Sequence, residues 1–431
     1  MSAVARSGST ELSGGDWFLV TLSRMMRAAG QGEHVGLSVL ELGPGLDSEA
    51  LRRASARLAA VSPVAIGRLH SVLFGTPRWL WRPGDVVEFP LCQHPPGVNW
   101  ETVASRRLSG EVPAPVSFDL IPTERGAMLL LQWRHSLLDG RGAELFLAEI
   151  ARLAGDPKAE TRAGSWGDPA PRTRGWRAVL GEAERFKNYY YARARLGIRA
   201  LGDARPRPGT ARFHVERFSA AETGQILARA AAVSRGLFQV GWFLAATMRA
   251  HRRVLASRGE RAESYQSSCA VQERKRGARH PIWQNHVAHF FFGLADEQLG
   301  ELAAAARLLQ EQFADMSRQR LETAFAAMAR MFRHVPSWYW LRILRHSSGG
   351  FITSFFFSHT GDFLPELERF CGAPIEHAWH IPSVSQPPGT GLFFGQHDGR
   401  LTATFSWREG VLRPGEFELM RSQLREDLLG P

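Results

Sequence analysis

The stretch Met128-Leu-Leu-Leu-Gln-Trp-Arg-His135-Ser-Leu-Leu-Asp139-Gly140-Arg-Gly-Ala-Glu-Leu-Phe-Leu147 joins an apolar run to an apolar-periodic segment. The run is long enough for a buried strand, and the periodic segment predicts a helix from near Gly142. A strand that ends in a polar cluster beside a helix start is a common way to present chemistry. His135 is the candidate, because imidazole exchanges a proton near neutral pH and Asp139 stands one turn away to orient or pair a neighbour. A single His at a strand end reads more readily as a packed or surface residue, so the rest of the chain has to carry the case.

The 431 residues are 44% hydrophobic and 22% charged, an ordinary globular composition for two to three domain-sized units. No N-terminal apolar run approaches a signal-peptide core, and no window reaches the roughly 18 apolar residues of a membrane span, so a soluble, cytoplasmic protein is expected. Cys92, Cys269 and Cys371 lack C-x-x-C spacing, which suggests neither a disulfide framework nor a zinc site. A net charge of +11 and a pI near 10.4 imply attraction to something anionic, whether nucleic acid, a lipid surface, a phosphorylated cofactor or an acidic partner. The excess of Arg over Lys, with abundant Ala and Gly, also fits a GC-rich coding sequence.

Along the chain, a helix is predicted from Trp17 to Arg27, a strand at Val35–Leu42 and a helix from Ser48 to Ala60 with Leu51, Ala54 and Leu58 on one face. Short strands are read at Leu73–Trp81 and Val86–Phe89, and Pro115–Ile121 forms a hairpin with the Met128 strand. Gly155–Gly175 has no apolar period and reads as a surface connection between a first unit, 1–175, and a second, 176–431. The second unit repeats the order of the first. It has a helix at Trp176–Arg199, a strand at Ala211–Phe218, helices at Ala221–Val233 and Leu237–Leu255, and strands at Ser264–Val271 and His286–Leu294. Helices at Glu297–Phe313 and from Ser317 towards Arg345 follow, then a strand over Phe351–Phe357 running into Ser358-His359-Thr360-Gly361-Asp362. A hairpin turning at Asp398-Gly399 and a helix from Pro414 to Leu429 close the chain.

His135-x-x-x-Asp139-Gly140 between a strand and a helix, in a two-lobed chain of this length, resembles the chloramphenicol acetyltransferase-like superfamily. That superfamily includes condensation domains of nonribosomal peptide synthetases, wax ester synthases and polyketide-associated acyltransferases, which share an H-x-x-x-D-G motif. Other stretches fall in the order such proteins show: Leu46-Asp47 with Leu51, Ser62-Pro63 before Leu69, Cys269–Arg274, Gln284-Asn285 and Ser354–Gly361. The resemblance spans nearly the whole chain. It implies an α+β fold of two acetyltransferase-like lobes, a pseudo-dimer with a tunnel between them. The departures are Arg134, where condensation domains carry a second His, Ala270 and Gln284 in the segment after it, and His359 for the late Asn. Arg134 argues against peptide-bond formation in particular.

The resemblance implies acyl transfer from a thioester to a hydroxyl or amine. His135 would take the acceptor proton and return it to the leaving thiolate. Asp139 is implied as a structural organiser with Arg274 as its partner, since a buried carboxylate needs one. Gly140 would allow close backbone approach near the tunnel. Arg134, Asn285, Ser358 and His359 are implied as tunnel or substrate residues. Arg274, Lys275, Arg276 and Arg279 read either as a solvated basic loop or as contacts for the phosphates of coenzyme A or a phosphopantetheine arm. No metal and no tightly bound cofactor is expected, the donor being acyl-CoA or acyl-phosphopantetheine.

The partners read this way are a small-molecule acceptor and an acyl or peptidyl carrier protein, without nucleic acid and with a monomer favoured. Phe290–Phe292 and Phe355–Phe357 read as core. Ser337–Leu344, flanked by arginines, carries the alternative of resting on a membrane surface. The rival to catalysis is a non-catalytic condensation-like module that recruits a carrier protein.

Overall fold

The computed structural model describes residues 8–71, 75–82, 88–110, 112–162, 164, 175–194, 197–236, 238–274, 281–339, 342 and 350–430. The first half of the chain forms β1 (Gly8–Glu11), α1 (Gly14–Ala28), β2 (Val35–Leu42), α2 (Ser48–Val61), β3 (Arg68–His70), β4 (Arg78–Trp81), β5 (Leu91–Gln93), α3 (Trp100–Ser109), β6 (Val116–Thr123), β7 (Gly126–Arg134) and α4 (Gly140–Gly155). The second half forms α5 (Trp176–Ala194), β8 (Ala211–Arg217), α6 (Ala220–Ser234), α7 (Val240–Ser257), β9 (Ser264–Gln272), β10 (Val287–Ala295), α8 (Leu302–Arg318) and α9 (Leu321–Phe332). It ends with β11 (Phe356–Asp362), β12 (Arg369–Phe370), β13 (Ala373–Pro382), β14 (Thr390–His397), β15 (Arg400–Arg408) and α10 (Glu416–Leu429).

The larger sheet runs β12-β13-β2-β7-β6-β5, and a second runs β11-β14-β15-β8. β7 sits inside the larger sheet between β2 and β6, so its apolar side chains can be covered on both faces. On one face Leu129, Leu131 and Trp133 pack with Ala143, Phe146, Leu147 and Ile150 of α4 and with Leu51, Ala54 and Leu58 of α2. The other face places Met128 and Leu130 with Val103, Ala104 and Leu108 of α3. The core of the second half is separate, built around Phe243, Leu244, Phe292 and Phe355. The chain is thus α+β, and the sheet of the first half takes β12 and β13 from beyond residue 368. The division at residue 175 therefore describes chain order, and the larger sheet crosses it.

Several expectations shift. The strand read over Phe351–Phe357 begins at Phe356, where the ladder to β14 starts at Phe356↔Gly391. Residues 351–355 are instead tied to β9, with Ser354 N donating to Gln266 O at 2.6 Å and Ser267 Oγ to Phe355 O at 2.8 Å. The helix read to Arg199 ends at Ala194, and the one read towards Arg345 is divided by Arg320, which takes a left-handed φ of 51° before α9. Of the strands read at Leu73–Trp81 and Val86–Phe89, Arg78–Trp81 is present, while 72–74 and 83–87 lie outside the described residues. The closing hairpin turns where expected, with Asp398 at φ 48° and Gly399 at 69°, the paired positive angles of a type I′ turn.

Candidate active site

β7 delivers the chain to His135, whose backbone N–H donates to His34 O at 3.1 Å, and Asp139 then starts α4. As N-cap, Asp139 Oδ1 accepts from Gly142 N at 2.7 Å, satisfying a donor the helix leaves open. Its Oδ2 accepts from Arg274 Nη1 at 2.8 Å and from His286 N at 2.9 Å. Both carboxylate oxygens are therefore engaged by backbone and by Arg274, and they hold the turn. Arg274 also donates through Nε to Ile282 O at 2.7 Å, Nη1 to Gln272 Oε1 at 2.8 Å and Nη2 to Gln284 O at 2.6 Å. With its side chain only 8% exposed, Arg274 is committed to this pairing, and the phosphate contact also expected of it would need the same donors. Lys275, Arg276 and Arg279 lie outside the described residues.

The close approach expected at Gly140 belongs to Gly142. A Cβ on Gly140 would meet only ordinary contacts, His380 Nε2 at 3.5 Å and Thr360 Cγ2 at 3.7 Å. A Cβ on Gly142 would fall 1.9 Å from Trp283 O, so there the helix start and the Trp283 backbone touch.

The His135 ring stacks on His34 with centroids 4.9 Å apart and planes 6° from parallel. Its Nδ1 is buried and has no hydrogen-bond partner. Burial lowers its pKa below the usual imidazole range, opposed by its own backbone carbonyl, the Asp139 carboxylate and the Asn285 side chain, and reinforced by His380. His34 is lowered further by burial and by the charges of His135 and Arg408. A neutral, half-buried imidazole results, the form that accepts a proton.

Asn285 bridges two elements: its Nδ2 donates to His135 O and to Asp16 Oδ1, both at 2.8 Å. Asp16 belongs to the capping box of α1, accepting from Ser13 N at 2.9 Å and from Ser13 Oγ at 2.8 Å, and burial pushes its carboxyl up to about 7. Arg134 turns away into an ion pair, Nε to Glu33 Oε2 at 2.8 Å. Ser358 and His359 are successive on β11 and face opposite ways. Ser358 lines a crevice with His380, whereas the His359 ring lies 4.7 Å from that of Phe243 in the second core, where burial lowers it to about 4.

The sequence reading passed over Asp16, His34, His289 and His380. The charge of His135 reaches His289 on β10, which burial lowers to about 4. A Ser-x-x-Asp before an apolar helix was a legible cap signal for Asp16. His34, His289 and His380 come to the site by sheet pairing and packing. Elsewhere, candidate ligand atoms of Cys92, His94 and Asp119 lie within 4.8 Å of one another. Asp119 is already held there by Arg107 Nε and Nη2 and by His94 Nε2, all at 2.8 Å.

No protein-family model matches the chain, and no curated protein matches it. Solved structures do. The trichothecene 15-O-acetyltransferase from Fusarium sporotrichioides is 12% identical with a TM-score of 0.74, covering 100% of this chain and 97% of that one. The first condensation domain of the calcium-dependent antibiotic synthetase, in complex with a substrate analogue, is 16% identical with a TM-score of 0.72, covering 100% and 96%. Polyketide synthase associated protein 5 from Mycobacterium tuberculosis is 16% identical with a TM-score of 0.62, covering 97% of each chain. Over its full length the chain shares their fold.

Proposed function

We propose, for a chain with the two-lobed chloramphenicol acetyltransferase-like fold of condensation domains and acyltransferases, that it transfers an acyl group from a CoA or carrier-protein thioester to a hydroxyl or amine. The fold's solved neighbours, an acetyltransferase and a condensation domain among them, support acyl transfer as the reaction class. His135 is the general base. The observation that carries this is the division of contacts in the turn: Asp139 spends its oxygens on Gly142, His286 and Arg274, and the neutral imidazole of His135 is left without a partner at Nδ1. Such an imidazole takes the proton of an attacking hydroxyl or amine and hands it to the departing thiolate, with no covalent enzyme intermediate. No helix among the described residues is long and apolar enough to cross a membrane.

The experiment is thiol release from acyl-CoA and from an acylated phosphopantetheinyl carrier protein, each with and without alcohol or amine acceptors. Release that rises with acceptor, accompanied by an ester or amide product, supports the reading. A chain that releases thiol from neither donor under any acceptor is not an acyltransferase, and carrier binding without turnover points to the recruiting module instead.

A further inference from the structure

Among the described residues five large apolar side chains are exposed, Leu80, Trp176, Leu180, Trp338 and Tyr339, with Trp338 at 62% and Trp176 at 60%. Scattered singly they would need no explanation, whereas a cluster marks an interaction site. Four of the five belong to two segments that meet. α5 and α9 pack antiparallel, with Arg185 Nη2 donating to Arg320 O at 3.3 Å, the rings of Phe186 and Phe325 5.4 Å apart and the Arg330 guanidinium 6.0 Å from the Trp176 ring. Trp176 and Leu180, one turn apart at the start of α5, therefore lie beside the end of α9.

Trp338 and Tyr339 follow that end. Trp17 Nε1 of α1 donates to Val335 O at 2.9 Å and Arg24 Nη1 to Ser337 Oγ at 3.2 Å, which ties the segment down, and the Trp338 and Tyr339 rings stand edge to face with centroids 5.7 Å apart. Leu80 arrives from the small sheet. Arg333, just past α9, lies 3.8 Å from Glu11 of β1, and β1 sets Ser9 opposite Leu80 of β4. All five side chains thus stand on elements that meet the end of α9. Trp340, Leu341, Ile343 and Leu344 of the segment after α9 lie outside the described residues. Cations interleave the rings: Arg177 follows Trp176 and is exposed, as is Arg342, while the Arg24 guanidinium lies 4.9 Å from the Trp17 ring. The neighbouring carboxylate, Glu11, is held by Arg78 at 2.8 Å as well as by Arg333.

We propose that this end of the molecule rests on an anionic lipid surface, with Trp176, Leu180, Trp338, Tyr339 and Leu80 entering the headgroup layer and the arginines between them taking lipid phosphates. Trp and Tyr, apolar bodies with one polar atom each, suit the boundary between water and hydrocarbon. Arg stems lie along apolar surface while their forks reach phosphate oxygens. The net charge of +11 adds long-range attraction to an anionic surface. A second copy of the chain is a poorer occupant, because a two-fold contact would set the same arginines against one another. The contact stands apart from the chemistry at His135 and does not depend on the acyl-transfer reading.

The experiment sediments the full chain with vesicles of phosphatidylcholine alone and of phosphatidylcholine mixed with phosphatidylglycerol, over a range of salt. Wild type is expected to partition onto the mixed vesicles, less so as salt rises. The double variant Trp176→Ser, Trp338→Ser is expected to lose at least about tenfold in partitioning while its melting temperature stays within a few degrees of wild type, since both side chains are exposed. Arg177→Gln and Arg342→Gln are each expected to lose about fivefold on the mixed vesicles. A wild-type chain that stays in solution with the mixed vesicles overturns the proposal. So does a double Trp variant that binds them as well as wild type, because the attraction is then that of net charge alone. Light scattering that shows a dimer which the double variant dissolves assigns the surface to a second copy and overturns it as well. Binding of a carrier protein that the double variant loses, with no vesicle binding by wild type, assigns it to a protein partner and has the same effect.

Discussion

Arg274 Nη1 stands 2.8 Å from Asp139 Oδ2, both side chains almost wholly buried, and the pair joins the end of β9 to the start of α4 across 135 residues of sequence. The same carboxylate caps the helix and accepts from the His286 backbone, so one side chain fixes three segments around His135. Such a pair is judged by what happens when half of it is removed. The partner is left as an uncompensated buried charge, at a cost of about 3–5 kcal/mol.

Asp139→Asn is expected to lower soluble yield and to drop the melting temperature by several degrees, with activity falling alongside. Asn retains an oxygen to cap Gly142 but loses the charge that Arg274 requires. Thermal melts of the purified variant check this; a variant as stable as wild type contradicts the structural role.

Asn285→Ala is expected to act on His135 through position. It removes the donor to His135 O and leaves the Asp16 carboxylate without its outside contact. Turnover should fall roughly tenfold or more, since small misplacements of a reacting group are costly, with a modest loss of stability. Asn285→Asp, which reverses donor to acceptor beside Asp16, should be worse than Ala in thermal melts.

The acid limb of activity is expected below the ordinary imidazole range, because burial lowers His135. The base is active when neutral, so kcat/KM should hold steady from neutral pH down through about 6.5, the unperturbed imidazole value, and decline only at lower pH. A pH profile of thiol release tests this, and an acid limb centred above 7 contradicts it.

Stability itself should fall on mild acidification. Burial lowers His251 and His289 to about 4 and His377 to about 3, so these imidazoles stay neutral in the fold while the unfolded chain protonates them near 6.5. Between pH 6.5 and 4 the unfolded state binds more protons, and stability is lost as pH falls through that window, by about 1.4 kcal/mol per unit for each fully buried group. Asp16, raised to about 7, works the other way, since the fold holds its proton where the unfolded chain has lost it. The histidines outnumber it. Melting temperatures measured from pH 7.5 to 5 should decline, and a flat profile contradicts this balance.

What was legible in the sequence follows from what is local. The buried strand into His135, the Asp139 cap and the α4 face of Ala143, Phe146, Leu147 and Ile150 all depend on neighbours a few residues apart. β13 escaped because Ala373-Pro-Ile-Glu-His-Ala-Trp-His-Ile-Pro382 is bounded by prolines and becomes a strand through pairing with β2, more than 300 residues earlier. With β13 came His380, invisible until the sheet is assembled. α3 escaped for a different reason: Asn99 caps it plainly, but its apolar positions are few and Pro95-Pro96 precedes it. The placing of His359 in the second core, beside Phe243, is a matter of strand facing. A single sequence shows alternation along a strand but not which side holds the site.

The proton role of His135 is tested most directly by His135→Ala, comparing thiol release from acyl-CoA in the presence of a responsive acceptor with that of wild type. The expected result is a loss of at least about 100-fold in kcat, with a melting temperature within a few degrees of wild type because the Asp139–Arg274 pair is untouched. A folded His135→Ala protein that turns over at the wild-type rate contradicts the assignment of His135 as the base.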